Sequence, residues 1–341
     1  MQQAVNSETF VDESSINFKD FALQWLELYA ETSKVSTVRA RKVEVNRLLD
    51  YLAYVKLKDV NVVKYQAILN DLKKKGYADN TISGVHTSAR MIFKKAMEYE
   101  LIKKNPTDYA KPPRKIQTVE EIENKKQEIK FLEKEELVHF LITAKKKGLS
   151  QDGIVFSILA YSGMRIGELL ALKWKDIDFE ESTINITKTL YNPKNRTKEY
   201  QLLSPKTKGS IRKIKMDANV MNDLKQHKKE QNKLKMMIRD EYVDQDFVIA
   251  KSSGYPENVK VIENRMKRIL KLAEIDRHLT PHSLRHTHTS LLIEAGVGIK
   301  EIQQRLGHTD IETTMNIYAH MTADMEEKAS HKFSELMRSL F

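Results

Sequence analysis

The 341-residue chain contains no cysteine, which excludes a disulfide framework and any metal site built on thiolates. It also lacks an uninterrupted apolar run of about 20 residues, the length needed to cross a bilayer as a helix. Residues 1–15 hold no Lys or Arg and no apolar core, so a secretory leader is not expected. These absences together predict a soluble protein of a reducing, cytoplasmic compartment.

Positive charge is in excess. Lys and Arg number 58 against 47 Asp and Glu, a net charge of +11, which favours a polyanionic partner. The excess is unevenly placed. Residues 16–115 carry 20 basic and 11 acidic side chains, and residues 130–341 carry 36 and 29. Residues 1–15 and 116–129 are acidic instead. A generally Lys-rich surface would give similar totals, so charge suggests nucleic acid without establishing it.

Apolar periodicity divides the chain. Phe18, Phe21, Ala22, Trp25 and Tyr29 recur at three- and four-residue intervals and predict an amphipathic helix. Ser36 is a candidate N-cap for a second helix with the stripe Val45, Leu48, Leu49 and Leu52. A third is predicted from Asn61 to Lys75, ended by Gly76. Asp79 or Asn80 caps a fourth, with Ile82, Val85, Ala89, Phe93 and Ala96 inward and Asn105-Pro106 as its end. Residues 16–112 thus read as a helical bundle behind a polar tail (1–15). A linker over 113–129 opens with the helix-breaking run Lys111-Pro112-Pro113-Arg114-Lys115. The second domain, 130–322, is mixed. Helices are expected at about 133–147 and 151–162, and β-like runs at Thr183–Thr187, Tyr200–Leu203 and Ile211–Met216. A further short strand is expected at Phe247–Ala250. The expected class is mainly α with a small antiparallel β-sheet (α+β).

Four signatures then follow in order. They are Gly163-Met164-Arg165-Ile166-Gly167-Glu168, Pro205-Lys206-Thr207, His282-Ser283-Leu284-Arg285-His286, and Leu306-Gly307-His308 with Tyr318 ten residues on. Arg offers a planar fork of donors that stays charged and matches two oxygens of a phosphate, so Arg165 and Arg285 together suit a phosphoryl transition state. The bland alternative for Arg165 is an ion pair with Glu168, three residues along a helix. Its place just after Gly163, near a helix start, favours phosphate. His282 and Arg285, three apart, project from one side of a helix that Thr280-Pro281 starts. A solvated basic segment is the alternative for Lys206, with Lys208 the runner-up. His286 and His288 raise a metal reading, which the absence of carboxylates at ligand spacing argues against; both are expected to be structural. Among 13 tyrosines, most are packing, and Tyr161 is expected to be one of these.

Over residues 16–341 this set resembles the tyrosine recombinase, or phage integrase, family, whose order is Arg, Lys, His-x-x-Arg, His, Tyr. The resemblance implies a site-specific DNA recombinase with a helical core-binding (SAM-like) domain ahead of the catalytic one. Tyr318 would attack a backbone phosphate, giving a 3′-phosphotyrosyl link and a free 5′-OH. Lys206, on a β-hairpin reaching into the DNA groove, would protonate the leaving oxygen. His282 would transfer a proton or contact the phosphate, and His308 would donate a hydrogen bond to it. No cofactor, metal or ATP is implied. The implied partners are double-stranded DNA attachment sites, a homotetramer on DNA passing through a Holliday junction, and an accessory directionality or DNA-bending protein, with no membrane. Two competing readings are a type IB topoisomerase, which shares this chemistry, and a DNA-binding protein without catalysis. One departure is that family members often carry a further N-terminal domain for arm sites, whereas only 15 residues precede the first helix here. The tail, 323–341, reads as an amphipathic helix with Met325, Ala329, Phe333, Leu336, Met337 and Leu340 near one face. By resemblance it docks on a neighbouring protomer; the alternative is that it folds back on its own domain.

Overall fold

The structure is a computed structural model and describes residues 15–114, 131–205, 208–307, 315, 337 and 338. The chain divides into two compact units, residues 1–126 and 127–341. Residues 115–129 of the expected linker, Lys130, Lys206, His308, Tyr318 and all of the tail except Met337 and Arg338 lie outside the described residues.

The first unit contains four helices among its described residues: α1 (Phe18–Thr32), α2 (Val35–Leu52), α3 (Val62–Lys74) and α4 (Asp79–Glu98). The predicted stripes turn inward. Phe18, Phe21, Leu48, Leu52, Ile82, Val85 and Phe93 are buried together, with Leu49 and Tyr29 packed at the margin. Asn61 caps α3, its side chain accepting from the Lys64 backbone N–H at 2.9 Å. Three predicted boundaries are corrected. The N-cap of α2 is Lys34 and Ser36 lies inside the first turn. The cap of α4 is Ala78, so Asp79 and Asn80 are already helical. Asp79 instead pairs with Lys73 at the end of α3. Helix α4 also stops at Glu98, well before Asn105-Pro106, because Glu100 takes a left-handed turn at φ +60°.

The second unit is built around α6 (Asp152–Ser162), whose residues Ile154 to Ala160 are all buried. A helix apolar on every side must be covered on every side. It contacts α5 (Lys134–Lys147), α8 (Ala218–Ile238) and α10 (Pro281–Glu294), and α9 (Val259–Leu272) packs on α5. Short α7 (Ile166–Leu170) and α11 (Ile299–Leu306) complete the described helices.

Five strands lie between α7 and α8. They are β1 (Ile177–Asp178), β2 (Thr183–Ile186), β3 (Thr189–Tyr191), β4 (Gln201–Leu203) and β5 (Arg212–Lys215). All pairings are antiparallel, in the orders β1-β2-β5 and β3-β4. β2 and β3 follow one another on one arm, β4 and β5 on the other, so the two ladders form one interrupted hairpin. Residues 204–211 separate β4 from β5, opposite only residues 187–188. The sequence position of Lys206 lies within this span, outside the described residues. The hairpin's tip is fastened down: Asn258 Nδ2 donates to the Asn195 carbonyl at 3.0 Å, and Lys251 Nζ to Thr197 Oγ1 at 3.0 Å. The strand expected at Phe247–Ala250 is absent. Phe247 and Ala250 each make one isolated bridge, to Lys173 and Pro256, and no ladder extends between them.

Candidate active site

Helix α6 ends at Gly163, which has φ +63° and serves as the left-handed C-cap. A β-carbon there would stand 2.6 Å from His288 Cδ2 and 2.7 Å from Leu306 Cδ2. Only glycine allows both this turn and this approach of α10 and α11. The chain then reverses, and Arg165 takes the N-cap position of α7.

Arg165 is half exposed and pairs with the buried Glu168, Nη1 to Oε1 at 2.9 Å. The bland alternative is thus realised in part, yet the pair does not sit alone. Glu168 Oε2 also accepts from the Arg165 backbone N–H at 3.0 Å and from Arg212 Nη2 at 2.9 Å. Burial pushes the Glu168 carboxyl up, but the bond and charge of Arg212, followed by the Arg165 backbone N–H, hold it below its ordinary range. One carboxylate therefore organises two guanidiniums.

Arg285 is more deeply placed than the sequence suggested. It lies on α10, which begins as expected with Thr280 as N-cap and Pro281 in the first turn. Its side chain is buried, with the residue only 2% exposed. Nη1 donates to the Gly163 carbonyl at 2.7 Å and Nη2 to the Leu306 carbonyl at 2.8 Å. One guanidinium thereby joins the segment preceding Arg165 to the segment preceding His308. Burial, then the like charges of Arg165 and Arg212, push Arg285 down to about 9.

His282, one turn earlier, is exposed at its own position, so it shares Arg285's side of the helix at a shallower depth. Its ring stands edge-on to that of His286, centroids 4.9 Å apart. Desolvation, followed by the charges of His286, Arg285 and Arg165, pushes it down to about 4. Both effects favour the uncharged form of this imidazole. His288 points into the unit. Its Nδ1 donates to the Ala160 carbonyl at 2.8 Å, and its Nε2 accepts from Arg305 Nε at 3.1 Å. That histidine ties α10 to α6 and α11, the structural role expected of it. Among the described residues no cluster of histidines and carboxylates is arranged to hold a metal ion. Tyr161 corrects an expectation: the residue is 42% exposed rather than packed, and its carbonyl accepts from Arg305 Nη2 at 2.9 Å.

Arg165, His282 and Arg285 thus come together from segments more than a hundred residues apart. Arg212, Arg305 and the burial of Glu168 were missed. A signal for Arg212 was present, since it lies two residues before the buried Ile214 and so shares its face of β5. It was obscured by the surrounding lysines. The arrangement is a cluster of guanidiniums around one buried carboxylate, and guanidinium donors suit an anionic group such as a phosphodiester.

The Phage integrase family profile matches residues 130–325, and the family's N-terminal SAM-like domain matches residues 17–73. The integrase of Staphylococcus phage L54a is 28% identical, covering 99% of this chain and 98% of its own. A probable integrase of prophage ps2 in Lactococcus lactis is 30% identical, covering 92% and 81%. The fold is similar to the Tn1549 transposon integrase in complex with a circular intermediate DNA, with TM-score 0.74, 24% identity and coverage of 94% and 100%. A lambda integrase dimer bound to a core site gives TM-score 0.63 at 16% identity, covering 89% and 78%. The chain belongs to the phage integrase family of tyrosine recombinases, enzymes that cut and rejoin DNA in site-specific recombination.

Proposed function

We propose that this chain recombines double-stranded DNA attachment sites of a phage or mobile element through a covalent intermediate on Tyr318. The phenolic oxygen attacks a backbone phosphorus, its proton is drawn off, and the 5′ oxygen departs as a hydroxyl, leaving a 3′-phosphotyrosyl link. A 5′-OH from a partner duplex then reverses the step. Bond energy is conserved in the link, so no ATP is consumed. Arg165 and Arg285 hold the two non-bridging oxygens, where removing one donor typically costs ~10²–10³ in rate. His282 and His308 serve the phosphate and its proton, and Lys206 protonates the leaving oxygen, a role open to an ammonium whose pKa is lowered. Exchange between two duplexes calls for a homotetramer on DNA and a Holliday junction. An accessory directionality or DNA-bending protein and a cytoplasmic setting complete the proposal.

The observation that carries this reading is the Arg285 guanidinium. It bonds the segment that precedes Arg165 to the segment that precedes His308, which supports a shared role for signatures scattered along the sequence. Nicked duplexes tiled across the neighbouring genomic DNA test it. Covalent protein–DNA adducts are expected from the unmodified chain and none from Tyr318→Phe, with affinity within a few-fold. Adducts formed by the Phe variant would transfer the role to another tyrosine, and supercoil relaxation without strand exchange would favour the topoisomerase reading.

A further inference from the structure

Arg212 is a buried cation that the four sequence signatures leave out. Its side chain is 6% exposed. Each of its three nitrogens meets an acceptor from a different segment. Nη2 donates to Glu168 Oε2 at 2.9 Å, Nε to the Arg305 carbonyl at 2.7 Å and Nη1 to the Ser210 carbonyl at 3.1 Å. These segments are the ones that matter. Glu168 carries Arg165. Ser210 ends the short 3-10 turn Lys208–Ser210, which closes the excursion between β4 and β5. Arg305 lies two residues before Gly307, the left-handed cap (φ +67°) of α11. A β-carbon on Gly307 would stand 3.0 Å from the Gly209 carbonyl oxygen and 3.2 Å from Arg212 Cδ. The turn into position 308 is therefore seated on the Arg212 stem and on the excursion itself.

Stability alone explains this poorly. Taking a cation out of water is costly, and apolar replacements of buried ion pairs are often neutral or better. What an apolar side chain cannot supply is geometry. A guanidinium is flat and its donors diverge at fixed angles, so three acceptors bonded to one fork are held at fixed mutual distances. Two of these acceptors are backbone carbonyls, which no compensating side-chain rotation can move.

We propose that Arg212 is a positioning residue for strand cleavage, setting the spacing between the Arg165–Glu168 pair, the excursion that carries Lys206 and the turn that leads into His308. It acts through these segments without touching the phosphate. The proposal deepens the reading of Arg165, Lys206 and His308 given above and rests on it.

The test is cleavage of a nicked duplex by the full chain, comparing Arg212→Lys, Arg212→Met, Glu168→Gln and the Glu168→Gln/Arg212→Met double variant. Thermal melts set an assay temperature at which the unmodified chain is fully folded. Both Arg212 variants should cleave saturating DNA more slowly, on the order of 10²-fold for the Met variant, as misplacement of a reacting group typically costs. DNA affinity should stay within a few-fold. The double variant should lose no more than the worse single one, because both changes break one link. Wild-type cleavage by either Arg212 variant overturns the proposal, as do multiplying losses in the double variant or a loss of cleavage that follows lost binding. Variants unfolded at the assay temperature would give Arg212 to the fold alone and overturn it too. Arg165→Ala and Lys206→Ala run alongside. If both cleave normally, the reading of the site fails whatever Arg212 does; if they are impaired while the Arg212 variants are not, only the positioning role falls.

Discussion

At the residue scale, burial and hydrogen bonding divide the histidines and arginines in ways their types do not announce. His288 is buried between a carbonyl and a guanidinium, and burial, with the Arg305 charge, pushes it down to about 4. Its folded value lies below its unfolded one, so between about pH 6.5 and pH 4 the unfolded chain binds more protons and stability falls as pH falls. The loss attributable to His288 is on the order of 2–3 kcal/mol. Denaturant unfolding at pH 7 and pH 4.5 should show it, and His288→Asn should reduce that difference by this amount, His282 contributing over the same window; an unchanged pH dependence would remove His288 as a source. Arg285 makes a second case. Replacing it by Met strands the Gly163 and Leu306 carbonyls, at ~1–3 kcal/mol each. Relief of a buried charge beside Arg165 and Arg212 offsets part of this, leaving a net loss of about 2 kcal/mol. A chain still folded after that loss should nevertheless cleave ~10²–10³-fold more slowly with little change in DNA binding. Parallel losses in binding and cleavage would reduce Arg285 to a structural tie.

At the element scale, helix periodicity was legible and helix ends were less so. The stripes of α1 to α4 and the starts of α3 and α10 followed from spacing, Asn61 and Thr280-Pro281. The α2 and α4 caps were misplaced because Ser36, Asp79 and Asn80 are good cap residues standing one or two positions inside the helix, a shift that tertiary packing decides. Strands β1 and β3 are two and three residues long and carry little alternation; the equally short β4 was legible only as part of the run Tyr200–Leu203. The turn between α6 and α7 was marked by Gly163, although its closeness to α10 and α11 was not. Gly163→Ala should cost about 2–4 kcal/mol, combining left-handed strain with a clash against His288 and Leu306. Thermal melts measure this directly, and a shift of under a degree would show that the two helices separate easily.

At the scale of the whole molecule, two basic units flank an acidic connector in the sequence, and two such units closing on one duplex as a clamp would both contribute to its binding. Cutting the chain near Glu120–Glu123 should leave each piece with weaker affinity and a shallower dependence on salt, because each neutralises fewer phosphates. Titrations at several salt concentrations check this; a 130–341 fragment that keeps the full affinity and slope would refute a clamp. The sequence by itself determined the two-part organisation, the helical stripes and the four ordered signatures, because periodicity and residue chemistry are local properties that survive without coordinates. Tertiary structure alone decided what each guanidinium bonds to. Arg165, Arg212, Arg285 and Arg305 are four among 58 basic residues, and neighbours can mark a candidate, as Ile214 does for Arg212, without separating a solvated guanidinium from one bonded to backbone carbonyls. That separation depends on burial and on acceptors supplied by distant segments, as Glu168, Gly163 and Leu306 supply them here, and only the folded chain brings those together.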